Sequence, residues 1–213
     1  LGLYESKFTL EPINGYLLAA YANKGEGPKN IVLYNPNGIY VNDFIGVDAN
    51  TGESPASPVK TLANAATKTS ATKTLIYICD STLTINSPQD ISQPAVKDTI
   101  TSFMFRTNAY LMRITSGGTL TLGNISIYTI SAFVSRYIQM DDGSLTLNSG
   151  ATLMTYGKYG IYQLGGDGVM NRGSLIKHQP TGTNISGYGI YQYGTTPTAT
   201  LNTGAIIERQ GTA

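Results

Sequence analysis

Asn148-Ser-Gly-Ala-Thr-Leu-Met-Thr-Tyr156, Asn171-Arg-Gly-Ser-Leu-Ile-Lys-His-Gln179 and Asn202-Thr-Gly-Ala-Ile-Ile-Glu-Arg-Gln210 are three variants of one line. Each opens with Asn-x-Gly, passes through a small residue and continues with residues of β character. Their glycines, Gly150, Gly173 and Gly204, stand 23 and 31 residues apart. A motif returning at that period marks a solenoid. An Asn-x-Gly corner followed by a short strand suits a chain that turns sharply and then extends, because Asn and Gly tolerate the positive φ of such corners.

Two further repeats agree. Gly118-Thr-Leu-Thr-Leu122 returns as Gly143-Ser-Leu-Thr-Leu147 at an offset of 25, and Gly160-Ile-Tyr-Gln163 returns as Gly189-Ile-Tyr-Gln192 at an offset of 29. The last pair of repeats grows from an offset of 29 at Ile-Tyr-Gln to 31 at Asn-x-Gly, which places a two-residue insertion near Thr195–Thr198. A propeller needs longer, four-stranded repeats of roughly 40 residues. A helical solenoid needs Ala/Leu/Glu/Lys-rich segments that this chain lacks. The expected fold is all-β, a right-handed parallel β-helix. Leu120, Leu122, Leu145, Leu147, Leu153, Ile176 and Ile207 are expected to stack inside it, and Asn148, Asn171 and Asn202 to form an amide ladder at one corner.

Composition is consistent with that surface. Charged residues make up 13% of the 213, against about 25% in an ordinary domain. Uncharged Thr, Ser and Asn can stack on copies of themselves from coil to coil without repulsion. A net charge of +1 provides no field for nucleic acid or an acidic membrane surface. No apolar run reaches the ~20 residues of a membrane-spanning helix. The single cysteine, Cys79, rules out an internal disulfide and is expected to be a buried, inert thiol. The chain starts with Leu and stops just after a repeat strand, so it reads as a piece of a longer protein.

Residues 1–36 do not share the repeat and form an N-terminal leader, with strands expected at Lys7–Leu10, Gly15–Tyr21 and Ile31–Tyr34. Residues 37–213 form the β-helix. A short helix over 59–66, with Leu62, Ala65 and Ala66 on one face, is expected to cap its first end. The loop before it carries Gly52, Ser54, Pro55, Pro58, Lys60, Thr61 and Leu62 in the spacing G-x-S-P-x-x-P-x-K-T-L. This stretch resembles the opening of right-handed parallel β-helices of the pectate-lyase-like superfamily. The Gly-Thr/Ser-Leu-Thr-Leu and Asn-x-Gly lines resemble coils of large surface adhesins of Gram-positive gut bacteria. The resemblance spans residues 39–213 and implies the fold. For function it implies several classes, since lyases, hydrolases, phage tailspikes and adhesins share the scaffold.

Chemistry is sparse. Asp141-Asp142 reads as a turn before the Gly143 strand, and adjacent strand residues point to opposite faces. Polygalacturonase-type hydrolysis would need paired carboxylates in a context absent here. Asp141, Asp142 and Asp167 could supply metal oxygens and Arg113, Arg136 or Arg172 a base, but no spacing singles them out. His178, the sole histidine, aligns with Thr155 and Arg209 and is expected to point outward into solvent. No metal or cofactor is expected.

Tyrosine is the suggestive residue. Tyr156, Tyr159, Tyr162, Tyr188, Tyr191 and Tyr193 cluster in neighbouring coils, with Gln163 and Gln192 beside them. The repeat alignment puts Tyr159 over Tyr188 and Tyr162 over Tyr191. Tyr159, Tyr162, Gln163, Tyr188, Tyr191, Gln192 and Tyr193 are therefore the candidate ligand-binding residues, presenting flat rings with hydroxyl tips to a sugar or protein.

The expected function is that of a non-enzymatic adhesin module. It would act extracellularly at the bacterial cell wall, as a monomer within a longer chain, and bind a host or dietary glycan or a host surface protein. Neither nucleic acid nor membrane insertion is expected for this segment. The alternatives are a polysaccharide lyase or glycoside hydrolase, and a trimeric phage tailspike or receptor-binding protein.

Overall fold

Short runs in which alternate residues are apolar set the architecture, because period-two patterning buries one face of each strand. The computed structural model describes residues 17–19, 32–79, 82–92, 97–102, 109–128, 134–156, 158–179 and 187–209. β1 (Leu17–Ala19) and β2 (Val32–Tyr34) form an antiparallel pair. β3 (Gly38–Val41) leads into α1 (Leu62–Lys68). Coils of three strands follow: β4 (Leu75–Ile78), β5 (Leu83–Ile85), β6 (Pro88–Ile91); β7 (Asp98–Ser102), β8 (Ala109–Ile114), β9 (Thr119–Leu122); β10 (Ile125–Ile127), β11 (Val134–Met140), β12 (Ser144–Leu147). The next are β13 (Thr152–Thr155), β14 (Tyr159–Gln163), β15 (Asp167–Met170); β16 (Leu175–His178), β17 (Tyr188–Gln192), β18 (Thr198–Leu201); and then β19 (Ile206–Arg209). The strand expected at Lys7–Leu10 lies outside the described residues.

Like pairs with like. Three parallel sheets run along the axis in the orders β19-β16-β13-β10-β7-β4-β3, β17-β14-β11-β8-β5 and β18-β15-β12-β9-β6. This is the expected all-β parallel β-helix, consistent with a right-handed wrap. Its registers match the sequence offsets: Leu120 pairs with Leu145, and Tyr159 with Tyr188. The insertion is where the offsets place it, since Gln163↔Gln192 and Asp167↔Thr198 leave the last corner two residues longer.

The core is a set of columns. Ile39, Ile76, Ile100, Ile127, Leu153, Ile176 and Ile207 follow one another in register along the longest sheet. All are buried except Ile207, which is 41% exposed because no described strand lies over β19. Each buried Ile or Leu contributes about 1.5–3 kcal/mol of burial free energy. The interior is tight. A cavity beside Leu145, Ile161, Gln163 and Met170 holds about 10 Å³, room for one water.

Polar corners close the coils. Asn171 Nδ2 donates to Asn148 Oδ1 at 2.8 Å and Asn202 Nδ2 to Asn171 Oδ1 at 2.7 Å, so the amide ladder forms as expected. Beside it Gly150, Gly173 and Gly204 take φ of 80°, 79° and 87°. The Asp141-Asp142-Gly143 segment is the expected turn, with Gly143 at φ 78°.

The cap differs in register from its sequence expectation. The helix spans Leu62–Lys68 rather than 59–66, because Val59 is committed to a bridge with Val41 and Thr61 serves as N-cap. Thr61 Oγ1 accepts from Asn64 N at 3.2 Å, while Asp48 Oδ1 accepts from Lys60 N and Thr61 N, both at 2.9 Å. Leu62 and Ala65 bury against the first coils, and Gln89 Oε1 in β6 accepts from Leu62 N at 2.9 Å. A helix so anchored covers strand edges that would otherwise invite pairing with another chain.

Candidate functional site

The tyrosines gather on the outer face of the β17-β14-β11-β8-β5 sheet. They fall at i and i+3 rather than i and i+2, because one residue per coil drops out of the paired register: Leu111, Tyr137, Gly160 and Gly189. That irregularity keeps Tyr159 and Tyr162 on one face while Ile161 turns inward, buried. Across the coil step, Tyr159 stacks on Tyr188 (centroids 5.9 Å, planes at 12°) and Tyr162 on Tyr191 (5.4 Å, 19°). Tyr159 also meets Tyr162 edge-on at 5.0 Å, and Tyr188 lies 5.2 Å from Tyr191. The four rings form one cluster.

Stacking decides what the cluster offers. Rings parallel across rungs cover one another's faces and leave edges and hydroxyls outward. Tyr188, 46% exposed, and Tyr191 form the last described rung, while on its other side Tyr162 carries the Arg136 guanidinium. Tyr193 is 61% exposed just past β17. Tyr156 is half-buried, and its backbone N donates to the Tyr137 hydroxyl at 3.0 Å.

Cations border the rings. The Arg136 guanidinium carbon sits 4.0 Å from the Tyr162 centroid and 5.3 Å from that of Tyr110, within cation–π range. Lys158 Nζ is 5.1 Å from the Tyr159 centroid. Hydrogen bonding and attraction to Tyr159 push the Lys158 pKa up. Arg136 pairs in register with Tyr159, and Gln139 with Tyr162, so the offset of 23 that relates these coils points to both. From the sequence Arg136 stands out only as a possible base, and no repeat marks Lys158 or Tyr110.

The glutamines part from the tyrosines. Gln163 is inside, 1% exposed, where its Nε2 donates to Gly166 O and Thr198 O, each at 2.7 Å. Its parity with Ile161 puts it in the core, so Gln163 is withdrawn from the candidate ligand-binding residues. Gln192 stands in register with it and is exposed in the last rung; it donates to Gln163 Oε1 at 3.3 Å and to Pro197 O at 3.1 Å.

Other expectations are also corrected. His178 is 2% exposed, not solvated. It shares the inward parity of Ile176, as buried Thr155 shares that of Leu153, and Arg209 in the same column is exposed where no described strand lies over β19. Cys79 lies just past the end of β4 and is half-buried rather than fully buried, with its Sγ donating to Tyr77 O at 3.7 Å.

The charged candidates satisfy one another. Arg113 pairs with Asp141 Oδ2, Gln139 Nε2 donates to Asp141 Oδ1 at 2.6 Å, and Arg136 Nη1 donates to Gln139 Oε1 at 2.6 Å. Asp142 is exposed, and Asp167 Oδ1 accepts from the Thr198 hydroxyl. Arg172 is exposed beside Gly204. Among the described residues no three His, Cys, Asp or Glu side chains gather as a metal site, and no helix is long and apolar enough to cross a membrane. No family model matches this chain, and no curated protein or solved structure does so either.

Proposed function

We propose that this chain is a non-enzymatic β-helix module of a bacterial surface adhesin, working outside the cell and holding a glycan or a host protein against the outer face of the β17-β14-β11-β8-β5 sheet. The observation that carries the reading is the cluster of Tyr159, Tyr162, Tyr188 and Tyr191 bordered by Arg136 and Lys158. Aromatic and arginine side chains are the ones that anchor recognition surfaces. Elsewhere the same coils meet the needs of a solenoid surface with Thr, Ser and Asn.

The face sorts its tyrosines. The exposed Tyr188 and Tyr193, with the half-buried Tyr191 between them, are the rings that would meet a ligand, and Tyr159 and Tyr162 support them from the coil before. A screen of the chain against glycans and epithelial surface proteins tests the reading. Loss of binding in Tyr191→Ala, with melting unchanged, supports it. Binding indifferent to every tyrosine in the cluster overturns it.

A polysaccharide-cleaving enzyme is the second reading, favoured by the convergence of Arg113, Arg136 and Asp141. Both Asp141 oxygens are already engaged, and the group holds one carboxylate where glycoside hydrolysis uses two. Release of reducing ends or unsaturated sugars from pectins or host glycans would carry this reading over the first.

A further inference from the structure

Asp98, the first residue of β7, is fully buried, yet it is a carboxylic acid with no cation against it among the described residues. Its Oδ2 lies 2.8 Å from Thr69 Oγ1, and Thr69 Oγ1 lies 2.8 Å from the carbonyl oxygen of Ala66 in the last turn of α1. A threonine hydroxyl has one proton to give. The Ala66 carbonyl can only accept. Were Asp98 ionised it too could only accept, and one of these two short contacts would have no proton in it. A protonated carboxyl resolves the count, with Asp98 Oδ2–H donating to Thr69 Oγ1 and Thr69 Oγ1–H donating to Ala66 O. Asp98 Oδ1 is buried with no hydrogen-bond partner, tolerable for a neutral carbonyl oxygen and costly for half of a carboxylate.

We propose that the Asp98 carboxyl, carrying its proton, is the clasp that holds the C-terminal end of the capping helix to strand β7, and that the cap loosens when the proton is lost.

Among the described residues the surroundings supply no counter-charge. The ionisable groups on the elements around Asp98 are Lys68 on α1, Lys73 ahead of β4, Tyr77 within β4 and the exposed Lys97 beside it in sequence; β10, whose Ile125 pairs with Asp98, carries none. Lys73 is paired with Glu53, and the Tyr77 hydroxyl accepts from Asn35 Nδ2 at 2.8 Å. Burial pushes the Asp98 pKa above its ordinary 3.8; a proton donated by Thr69 would pull the other way, but the Ala66 carbonyl competes for that one proton. A folded pKa above the unfolded one gives stability that is complete below the unfolded value and lost as pH rises through the folded value.

The test compares urea unfolding of the 213-residue chain with that of Asp98→Asn between about pH 3.5 and about pH 8. Asparagine keeps a donor for Thr69 and has nothing to titrate. Relative to Asp98→Asn, the wild-type folding constant should fall with rising pH, by no more than about tenfold per pH unit for one proton, and then level off. Amide protection in the last turn of α1, taken relative to the intrinsic exchange rate at each pH, should fall over the same range in the wild type alone. Thr69→Val, which keeps the shape and removes the hydroxyl, should show low protection there at every pH. A difference that is flat, or that grows in favour of the wild type as pH rises, overturns the proposal. If Asp98→Asn does not fold, isotope-edited infrared spectra of the wild type decide instead. A buried protonated carboxyl persisting above the ordinary carboxylate range supports the clasp, and complete ionisation there overturns it.

Discussion

Replacing Asn171 by Leu isolates the contribution of the amide ladder. In the folded chain the Asn171 side chain donates to Asn148 at 2.8 Å and accepts from Asn202 at 2.7 Å, so the substitution removes both bonds at once. Each is worth about 0.5–1.5 kcal/mol net. Asn148 and Asn171 are half-buried and Asn202 exposed, so the orphaned groups recover water, and the loss belongs in the lower part of the summed range. About 1–2 kcal/mol is expected, a fall in melting temperature of about 2–8 °C for a chain of this size. The backbone bonds of the corner, Asn171 N to Leu147 O at 2.8 Å and Ser174 N to Asn171 O at 3.0 Å, do not involve the side chain and survive. Calorimetry or thermal circular dichroism reads the effect, with Asn202→Leu as the internal comparison because it breaks only the outer bond. Asn171→Leu should cost about twice as much as Asn202→Leu, and neither should alter binding at the tyrosine face. Wild-type melting of Asn171→Leu would refute the claim that the ladder stabilises the corner.

The remaining expectations follow from the same geometry. Gly173→Ala places a Cβ at φ 79° and 2.7 Å from Ser149 Oγ, and should cost about 1–2 kcal/mol in urea unfolding. Ile176→Ala and Ile207→Ala remove the same atoms from one column at rungs 0% and 41% exposed; the first should cost about 2–5 kcal/mol and the second clearly less. For the proposed ligand, Tyr191→Ala should weaken binding by at least about tenfold, as loss of an aromatic anchor does, while Tyr162→Phe, which keeps the stacked ring, changes it only slightly. Equal effects of the two substitutions in a titration would mean that ring faces do not matter.

Much of this protein is legible along the chain because a solenoid repeats itself. Matching strands pair with their own copies, so an offset in sequence is a register in space. The offset of 29 put Tyr159 over Tyr188, and the step to 31 placed the inserted corner. The Asn-x-Gly corner carried both the positive-φ glycines and the amide ladder. Polarity was a poorer guide to which face a side chain takes. His178 and Gln163 look like surface residues and are core residues, because strand parity overrides side-chain preference once a backbone acceptor or a tight interior receives the polar atoms.

What the sequence determined by itself was therefore the periodic part: parallel coils, their registers, the apolar columns and the corner motif, all consequences of identical neighbours stacking. What only the tertiary structure decided lies where unlike segments meet. One residue dropped from the register puts two tyrosines on one face, and stacking then covers most of their rings. Arg136 reaches diagonally to Tyr162 from the coil before. Asp98 meets Thr69 across the 29 residues of the first coil, a contact between strand and capping helix that no repeat encodes, and burial, which no local pattern announces, leaves its carboxyl without a counter-charge among the described residues.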